Sequence, residues 1–164
     1  MNRTASSNPA PSALRLGSGE VFMCSGQGSQ KPGMGADLLD IPEVAQVFSC
    51  ASDVFGFDAA ALVAHALAVE LDDTRKAQAA VCTLSVAIAR ALMAHGARPT
   101  ALLGFSLGQI GALALAGMVS DEVAFSIVRE RSGFMAEAAR ENPGVRFNGA
   151  SGASRNPPDR RAHV

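Results

Sequence analysis

Apolar residues fall along this chain in two kinds of run. Val21-Phe22-Met23-Cys24 is short and unbroken, with Gly17, Ser18 and Gly19 before it and Ser25-Gly26 after it. Ala101-Leu102-Leu103 likewise follows Pro99 and leads into Gly104. Short apolar runs bounded by turn residues predict buried strands. Elsewhere the spacing is helical. Pro42 can occupy the first turn of a helix running through Val44, Val47 and Phe48, and Asp58 can cap another through Leu62, Val63 and Leu67. From Asp73 or Thr74 to His95, Ala77, Val81, Leu84, Ile88 and Leu92 recur at helical intervals, with Gly96 as a stop just beyond. A helix is expected from Leu107 to about Ala116. A last one, capped by Ser120 or Asp121, has Val123, Ile127, Val128, Phe134 and Met135 as its apolar positions. Strands alternating with helices predict the α/β class with a short parallel sheet. No internal repeat is visible.

The two ends depart from this pattern. Residues 1–19 are rich in Ser, Asn, Pro and Ala and lack the apolar h-region of a secretory signal, so they read as a disordered leader. From Val145 onward Gly, Ser, Asn, Pro and Arg dominate, and residues 145–164 read as a polar tail without packed elements. The ordered domain is expected over residues 20–144. With 164 residues, 48% hydrophobic and 18% charged, the chain has the composition of one globular domain able to bury a core. A formal net charge of −1 gives no strong positive field, so neither nucleic acid nor an anionic membrane is expected as a partner. The apolar stretch Ala77 to Ala94 is interrupted by Gln78, Thr83, Ser85 and Arg90 and falls short of an uninterrupted membrane span, which makes a cytoplasmic location the default. Cys24, Cys50 and Cys82 form no C-x-x-C pair and no zinc spacing; they read as buried reduced thiols, and no metal site is expected.

The chemistry concentrates at one turn. Gly104-Phe105-Ser106-Leu107-Gly108 fits G-x-S-x-G between a predicted strand and a predicted helix, the setting of a nucleophile elbow. Ser106 is the candidate nucleophile, and the amide of Leu107 is the candidate first oxyanion donor. The bland alternative is a strand-to-helix turn that merely uses glycine and serine. The segment from Gly26 to Gly35, with four glycines and Pro32, is loop chemistry. It lacks both the Gly-Lys-Ser/Thr ending of a P-loop and G-x-G-x-x-G spacing, so it is not read as a phosphate cradle.

Three further segments carry a family resemblance. Gly26-Gln27-Gly28-Ser29-Gln30 is followed by Gly33-Met34-Gly35. Gln78 lies in Thr74-Arg75-Lys76-Ala77-Gln78-Ala79, and Arg131 in Arg129-Glu130-Arg131-Ser132-Gly133-Phe134-Met135, at 131 − 106 = 25 residues beyond the serine. From about Phe22 to Gly144 the chain resembles the malonyl-CoA:acyl carrier protein transacylases and the related acyltransferase domains of polyketide synthases. The resemblance implies an α/β-hydrolase-like acyltransferase core, here incomplete, with the family's ferredoxin-like subdomain absent. It implies that the backbone amide of Gln27 completes the oxyanion hole, that Gln78 faces the active site, and that Arg131 holds the free carboxylate of a malonyl group. A guanidinium fork matches a carboxylate bidentately. Arg129 is the neighbour most easily confused with Arg131, but adjacent helical residues point about 100° apart, so only one should enter the site. The implied reaction moves malonyl from malonyl-CoA to the phosphopantetheine thiol of acyl carrier protein through a malonyl-serine, for fatty-acid biosynthesis. Malonyl-CoA and acyl carrier protein are then the partners, and no cofactor is needed.

The chain also departs from the family, which usually has histidine before the nucleophile and glutamate after the second glycine of the elbow; Phe105 and Gln109 stand there. The family's general base is a histidine well downstream. His65, His95 and His163 are poor substitutes, and a truncated or frame-shifted reading is expected, with residues 145–164 foreign to the fold. The rival readings are a polyketide synthase acyltransferase, a serine esterase, and an inert fragment or non-catalytic module binding coenzyme A or carrier protein.

Overall fold

A computed structural model describes residues 19–141. The leader expected over residues 1–19, apart from Gly19 itself, and the tail expected over 145–164 lie outside the described residues. Both predicted strands form where the apolar runs stand, as β1 (Val21–Cys24) and β2 (Ala101–Gly104). They pair in parallel, with Val21 opposite Ala101 and Cys24 opposite Gly104. A parallel pair needs a long crossover. Here the crossover carries a 3-10 turn (Ala36–Leu38) and four helices: α1 (Pro42–Phe55), α2 (Ala59–His65), α3 (Ala68–Leu71) and α4 (Thr74–Ala94). After β2 come α5 (Gly108–Leu115) and α6 (Asp121–Glu141). The described residues are thus mostly helical around a short parallel two-stranded sheet.

The helix ends follow the capping chemistry of the sequence. Pro42 opens α1. Asp58 Oδ1 accepts the Ala61 amide at 2.8 Å, and Asp73 Oδ1 accepts the amides of Arg75 and Lys76 at 2.8 and 3.2 Å. Ser120 Oγ accepts from the Val123 amide at 3.2 Å, leaving Asp121 for another task. Its carboxylate takes Arg90 Nη2 at 2.7 Å and Nε at 3.3 Å, while Nη2 also donates to the Ala114 carbonyl at 3.0 Å. One guanidinium therefore ties α4 to the end of α5 and the start of α6.

The helix expected to run from Asp58 through Leu67 is broken. It stops at His65; Ala66 and Leu67 are extended, and α3 restarts beyond them. Glu70 drives the restart by accepting the Leu67 amide at 3.2 Å on one oxygen and Lys76 Nζ at 2.8 Å on the other. Those two bonds and the Lys76 charge hold the Glu70 carboxyl below its ordinary range.

Helix α4 is the spine of the core. It is buried without interruption from Ala77 to Thr83 and again at Val86, Ala87 and Ala89, packed by α1, α5 and α6. Its alanines let those neighbours approach closely. By length and composition alone Thr74–Ala94 is apolar enough to cross a membrane, with a mean hydropathy of 1.6; 61% of that window is buried inside the fold. The polar interruptions therefore do not disqualify it on composition, and its observed surroundings are those of a core helix. Phe48, Phe125, Val44, Val63, Val86 and Val128 complete the interior, with Phe55 stacking on Phe57 at 5.7 Å and tilting against Phe125 at 5.8 Å.

Within α4 the Thr83 hydroxyl is buried and has no hydrogen-bond partner among the described residues. Desolvating such a group without a bond costs about 1–3 kcal/mol. Thr83→Val, nearly isosteric, is accordingly expected to stabilise the chain by about 1 kcal/mol, seen as a rise in thermal midpoint; a drop would mean the hydroxyl is satisfied in solution.

Two faces differ from the predicted pattern. The buried stripe of α6 is Ala124, Phe125, Val128 and Ser132, whereas Val123, Ile127, Phe134 and Met135 are exposed. Among the described residues the sheet packs against helices on one side only. On the other, Val21, Met23 and Leu103 are exposed, although parallel strands usually bury both faces.

Candidate active site

Strand β2 delivers the chain into the turn that holds Ser106. Ser106 has φ of 50°, and among the described residues it alone has positive φ without being glycine. Such a conformation is costly for a residue with a Cβ and persists where the surroundings impose it. The imposing contacts come from the two flanking glycines. A Cβ on Gly104 would lie 2.2 Å from the carbonyl carbon and oxygen of Gly108, and one on Gly108 would lie 2.1 Å from the Cys24 carbonyl oxygen. Only glycine lets the start of α5 sit this close to the ends of β1 and β2. Leu107, wholly buried, anchors the turn from beneath.

The turn's own hydrogen bonds run from the amides of Gly108, Gln109 and Ile110 to the carbonyls of Phe105, Ser106 and Leu107, at 2.9, 3.2 and 3.0 Å. The Leu107 amide is unused within it. It stands at the N-terminus of α5, where helix amides lack partners and favour developing negative charge.

The loop after β1 is closed by its own side chains. Gln30 Oε1 accepts the Gly28 amide at 2.8 Å while its Nε2 donates to the Leu71 carbonyl at 3.2 Å, and Ser29 Oγ donates to the Gly26 carbonyl at 3.0 Å. This loop abuts the elbow, since a Cβ on Gly26 would meet the Phe105 carbonyl oxygen at 3.0 Å and the Phe105 ring at 3.1 Å. Phe105 itself is 80% exposed.

The residues singled out from sequence meet in one hydrogen-bonded chain. Arg131 Nη2 donates to Ser106 Oγ at 3.0 Å, and Arg131 Nη1 donates to Gln78 Oε1. Gln78, wholly buried, donates through Nε2 to Gln27 Oε1 at 3.1 Å and to Met135 Sδ at 3.3 Å. Gln27 Nε2 reaches Thr74 Oγ1 at 3.5 Å. Ser106, Arg131, Gln78 and Gln27, from four separate segments, are thereby connected. Arg129 points elsewhere: it donates to Glu130 at 3.1 Å and to the Val54 carbonyl on α1 at 2.9 Å. Met135 and Thr74 join this network from the segments that carry Arg131 and Gln78, and nothing in the sequence marked either for that part. The side-chain part played by Gln27 had no sequence signal either, since only its backbone amide was expected to act.

No histidine among the described residues hydrogen-bonds Ser106. His95 instead bonds its own helix end, Nδ1 lying 2.9 Å from the Ala91 carbonyl, while His65 is exposed at the end of α2 and His163 lies outside the described residues. Among the described residues no three His, Cys, Asp or Glu side chains are placed to hold a metal ion. A cleft of about 560 Å³ at the α1–α2 corner, lined by Phe48, Ser52, Phe57 and Asp58, contains none of the site residues.

Comparison with known proteins agrees with this geometry. The acyl transferase domain family matches residues 21–151. The malonyl CoA-acyl carrier protein transacylase of Escherichia coli O157:H7 is 40% identical over 127 residues, which is 76% of this chain and 41% of that protein. The crystal structure of the corresponding Streptococcus pneumoniae enzyme superposes with a TM-score of 0.69 at 38% identity, covering 73% of this chain and 39% of that one. A type II polyketide synthase acyl carrier protein in complex with its malonyl-transacylase offers a second match, with a TM-score of 0.69, 41% identity and coverage of 74% and 40%. The chain thus spans about two fifths of the length of these relatives. With a strained serine between two obligatory glycines and a matched stretch that runs from the first strand beyond the last described helix, the chain belongs to the acyl transferase domain family.

Proposed function

We propose that this chain carries the acylation half-site of a malonyl-CoA:acyl carrier protein transacylase. The observation that carries the reading is the 3.0 Å hydrogen bond from Arg131 Nη2 to Ser106 Oγ. It places a carboxylate-binding fork in direct contact with a nucleophile, a pairing of groups suited to an acyl thioester that carries a carboxylate at its far end. Ser106 Oγ attacks the thioester carbonyl, and the amides of Gln27 and Leu107 receive the developing oxyanion. Losing one such donor typically costs about 2.7–4 kcal/mol of transition-state stabilisation. The carbon–sulfur bond then breaks and coenzyme A leaves as the thiol. In the second half-reaction the phosphopantetheine thiol of acyl carrier protein takes the malonyl group from the serine. The acyl group arrives already activated as a thioester, so this chemistry requires no cofactor.

In this reading residues 20–144 form part of an α/β-hydrolase-like core, and the location is soluble and cytoplasmic. The serine's proton goes to a histidine from the portion of the relatives that this chain does not span. Removing the histidine of a serine–histidine unit costs on the order of 10⁶ in rate, so acylation by this chain alone is expected to be slow. That no described histidine reaches Ser106 favours a second reading, a non-catalytic module that binds the same partners.

Radiolabelled malonyl-CoA distinguishes them. Slow, stoichiometric label that mass spectrometry localises to Ser106, and that is missing in Ser106→Ala, supports the half-site. Saturable binding of malonyl-CoA with no covalent label from folded protein would reject it in favour of the non-catalytic module.

A further inference from the structure

The bond from Arg131 to Ser106 brings a clamp near a nucleophile, and it also occupies that nucleophile. A serine hydroxyl has two lone pairs, and attack on an acyl carbon uses one of them. In the structure Oγ accepts an N–H from a full cation at 3.0 Å. That bond withdraws electron density from the oxygen and fills one direction of approach. The guanidinium is held there from behind by Gln78, itself wholly buried and bonded to Gln27 and Met135. Among the described residues no carboxylate pairs with Arg131, so a neutral, single-oxygen hydroxyl stands where a carboxylate would bind better. A carboxylate accepts two parallel N–H bonds from such a fork and brings an opposite charge, where Oγ accepts one bond and brings none.

We propose that Arg131 masks Ser106 against uncharged acyl groups, and that the carboxylate of an incoming acyl group lifts the mask by drawing the guanidinium off Oγ. The clamp thereby selects twice, by attracting the charged acyl chain and by suppressing the serine in its absence. The inference rests on the acyl-transfer reading for the identity of the group that lifts the mask. The mask itself rests on the geometry of Arg131, Gln78 and Ser106.

The test uses an alkyl fluorophosphonate, a serine reagent without a carboxylate. Its reaction forms the Ser106 Oγ–phosphorus bond and breaks the phosphorus–fluorine bond; fluoride departs and the serine proton passes to buffer. Labelling rates are compared for the unmodified chain, Arg131→Ala and Arg131→Met, with Ser106→Ala as background and far-UV circular dichroism as the check on folding. Methionine keeps an unbranched apolar stem while removing every donor. Both arginine variants are expected to label about tenfold faster, the scale of one charge-assisted hydrogen bond, while their label from malonyl-CoA falls. A merely structural defect would lower both rates. Acetate added to the unmodified chain is expected to speed fluorophosphonate labelling in the same direction, without any substitution. Equal or slower labelling of the variants, no label in any form, or no response to acetate overturns the mask. Faster fluorophosphonate labelling in a chain that malonyl-CoA never acylates would keep the mask and discard the acyl-transfer reading.

Discussion

Gly108→Ala is expected to destabilise the chain by about 3 kcal/mol or more, the upper end of the usual cost of overpacking. The added methyl would sit 2.1 Å from the Cys24 carbonyl oxygen, 2.7 Å from its carbon and 2.9 Å from the Ser25 oxygen. Each of these is backbone at the end of β1, so no flexible side chain can move aside. Relief requires either α5 to lift from the sheet or β1 to part from β2. Against a typical domain stability of about 5–15 kcal/mol this is a large fraction. Urea denaturation measures it, and a midpoint equal to that of the parent chain would show that the elbow has more room than its geometry implies. Any Gly108→Ala protein that does fold should also acylate poorly. The serine would shift against the loop carrying Gln27, and a misplacement of about 1 Å can cost around 10²-fold in rate.

Gln78→Leu is expected to lower acylation by malonyl-CoA about 10- to 100-fold, the kinetic equivalent of the roughly 1–3 kcal/mol charged when a buried donor or acceptor loses its partner. The leucine would keep the volume while leaving Arg131 Nη1 and Gln27 Oε1 without their shared amide. Arg131 would then be free to swing, and the loop would lose its tether to α4. Gln78→Glu provides the contrast. A carboxylate there keeps an acceptor for Arg131 but loses the donor to Gln27 Oε1, so Gln27 must turn its own amide to donate; it also competes with the substrate's carboxylate, so acylation should fall while Arg131 stays anchored. Acylation by Gln78→Leu at the parent rate would mean that Arg131 is positioned by other contacts.

The features legible in the sequence were those whose cause is local. Both strands are short apolar runs, Val21–Cys24 in β1 and Ala101-Leu102-Leu103 closed by Gly104 in β2, with glycine or proline within two residues of each end. Caps at Asp58, Asp73 and Ser120 announce themselves because a short polar side chain needs only the amides two or three residues ahead. The tight turn at Ser106 was legible because glycine on both sides of a serine, between strand and helix, permits the close backbone approach found there. The less legible features depend on neighbours distant in sequence. Nothing in Ala66-Leu67 marks the break between α2 and α3, since neither residue disfavours a helix. The face of α6 that is buried follows from where α1 and α4 lie, and periodicity alone could not choose Phe125 over Ile127. Gln78 has the spacing of an ordinary helical glutamine; the family resemblance alone pointed inward, and the structure buries it completely. Arg131 and Arg129 were separable by helical geometry, and they do diverge, one to Ser106 and the other to the Val54 carbonyl.

The three cysteines bear on how cleanly such a serine can be interrogated. Attack on a thioester by sulfur requires the thiolate. Burial, followed by the nearby Cys24 and Asp121, pushes the Cys82 thiol up to about 12. Cys24 is raised by burial, and Cys50 by burial and then by Asp121, Glu122 and Asp53. At neutral pH these side chains are almost entirely protonated and make poor competitors for an activated acyl group. Acyl groups retained by the protein should therefore behave as oxygen esters, persisting through neutral hydroxylamine, which strips thioesters. The protein's protonated thiols, buried at Cys24 and Cys82 and half-buried at Cys50, thus act as an internal blank, and a simple wash can assign the attachment atom before any peptide is sequenced.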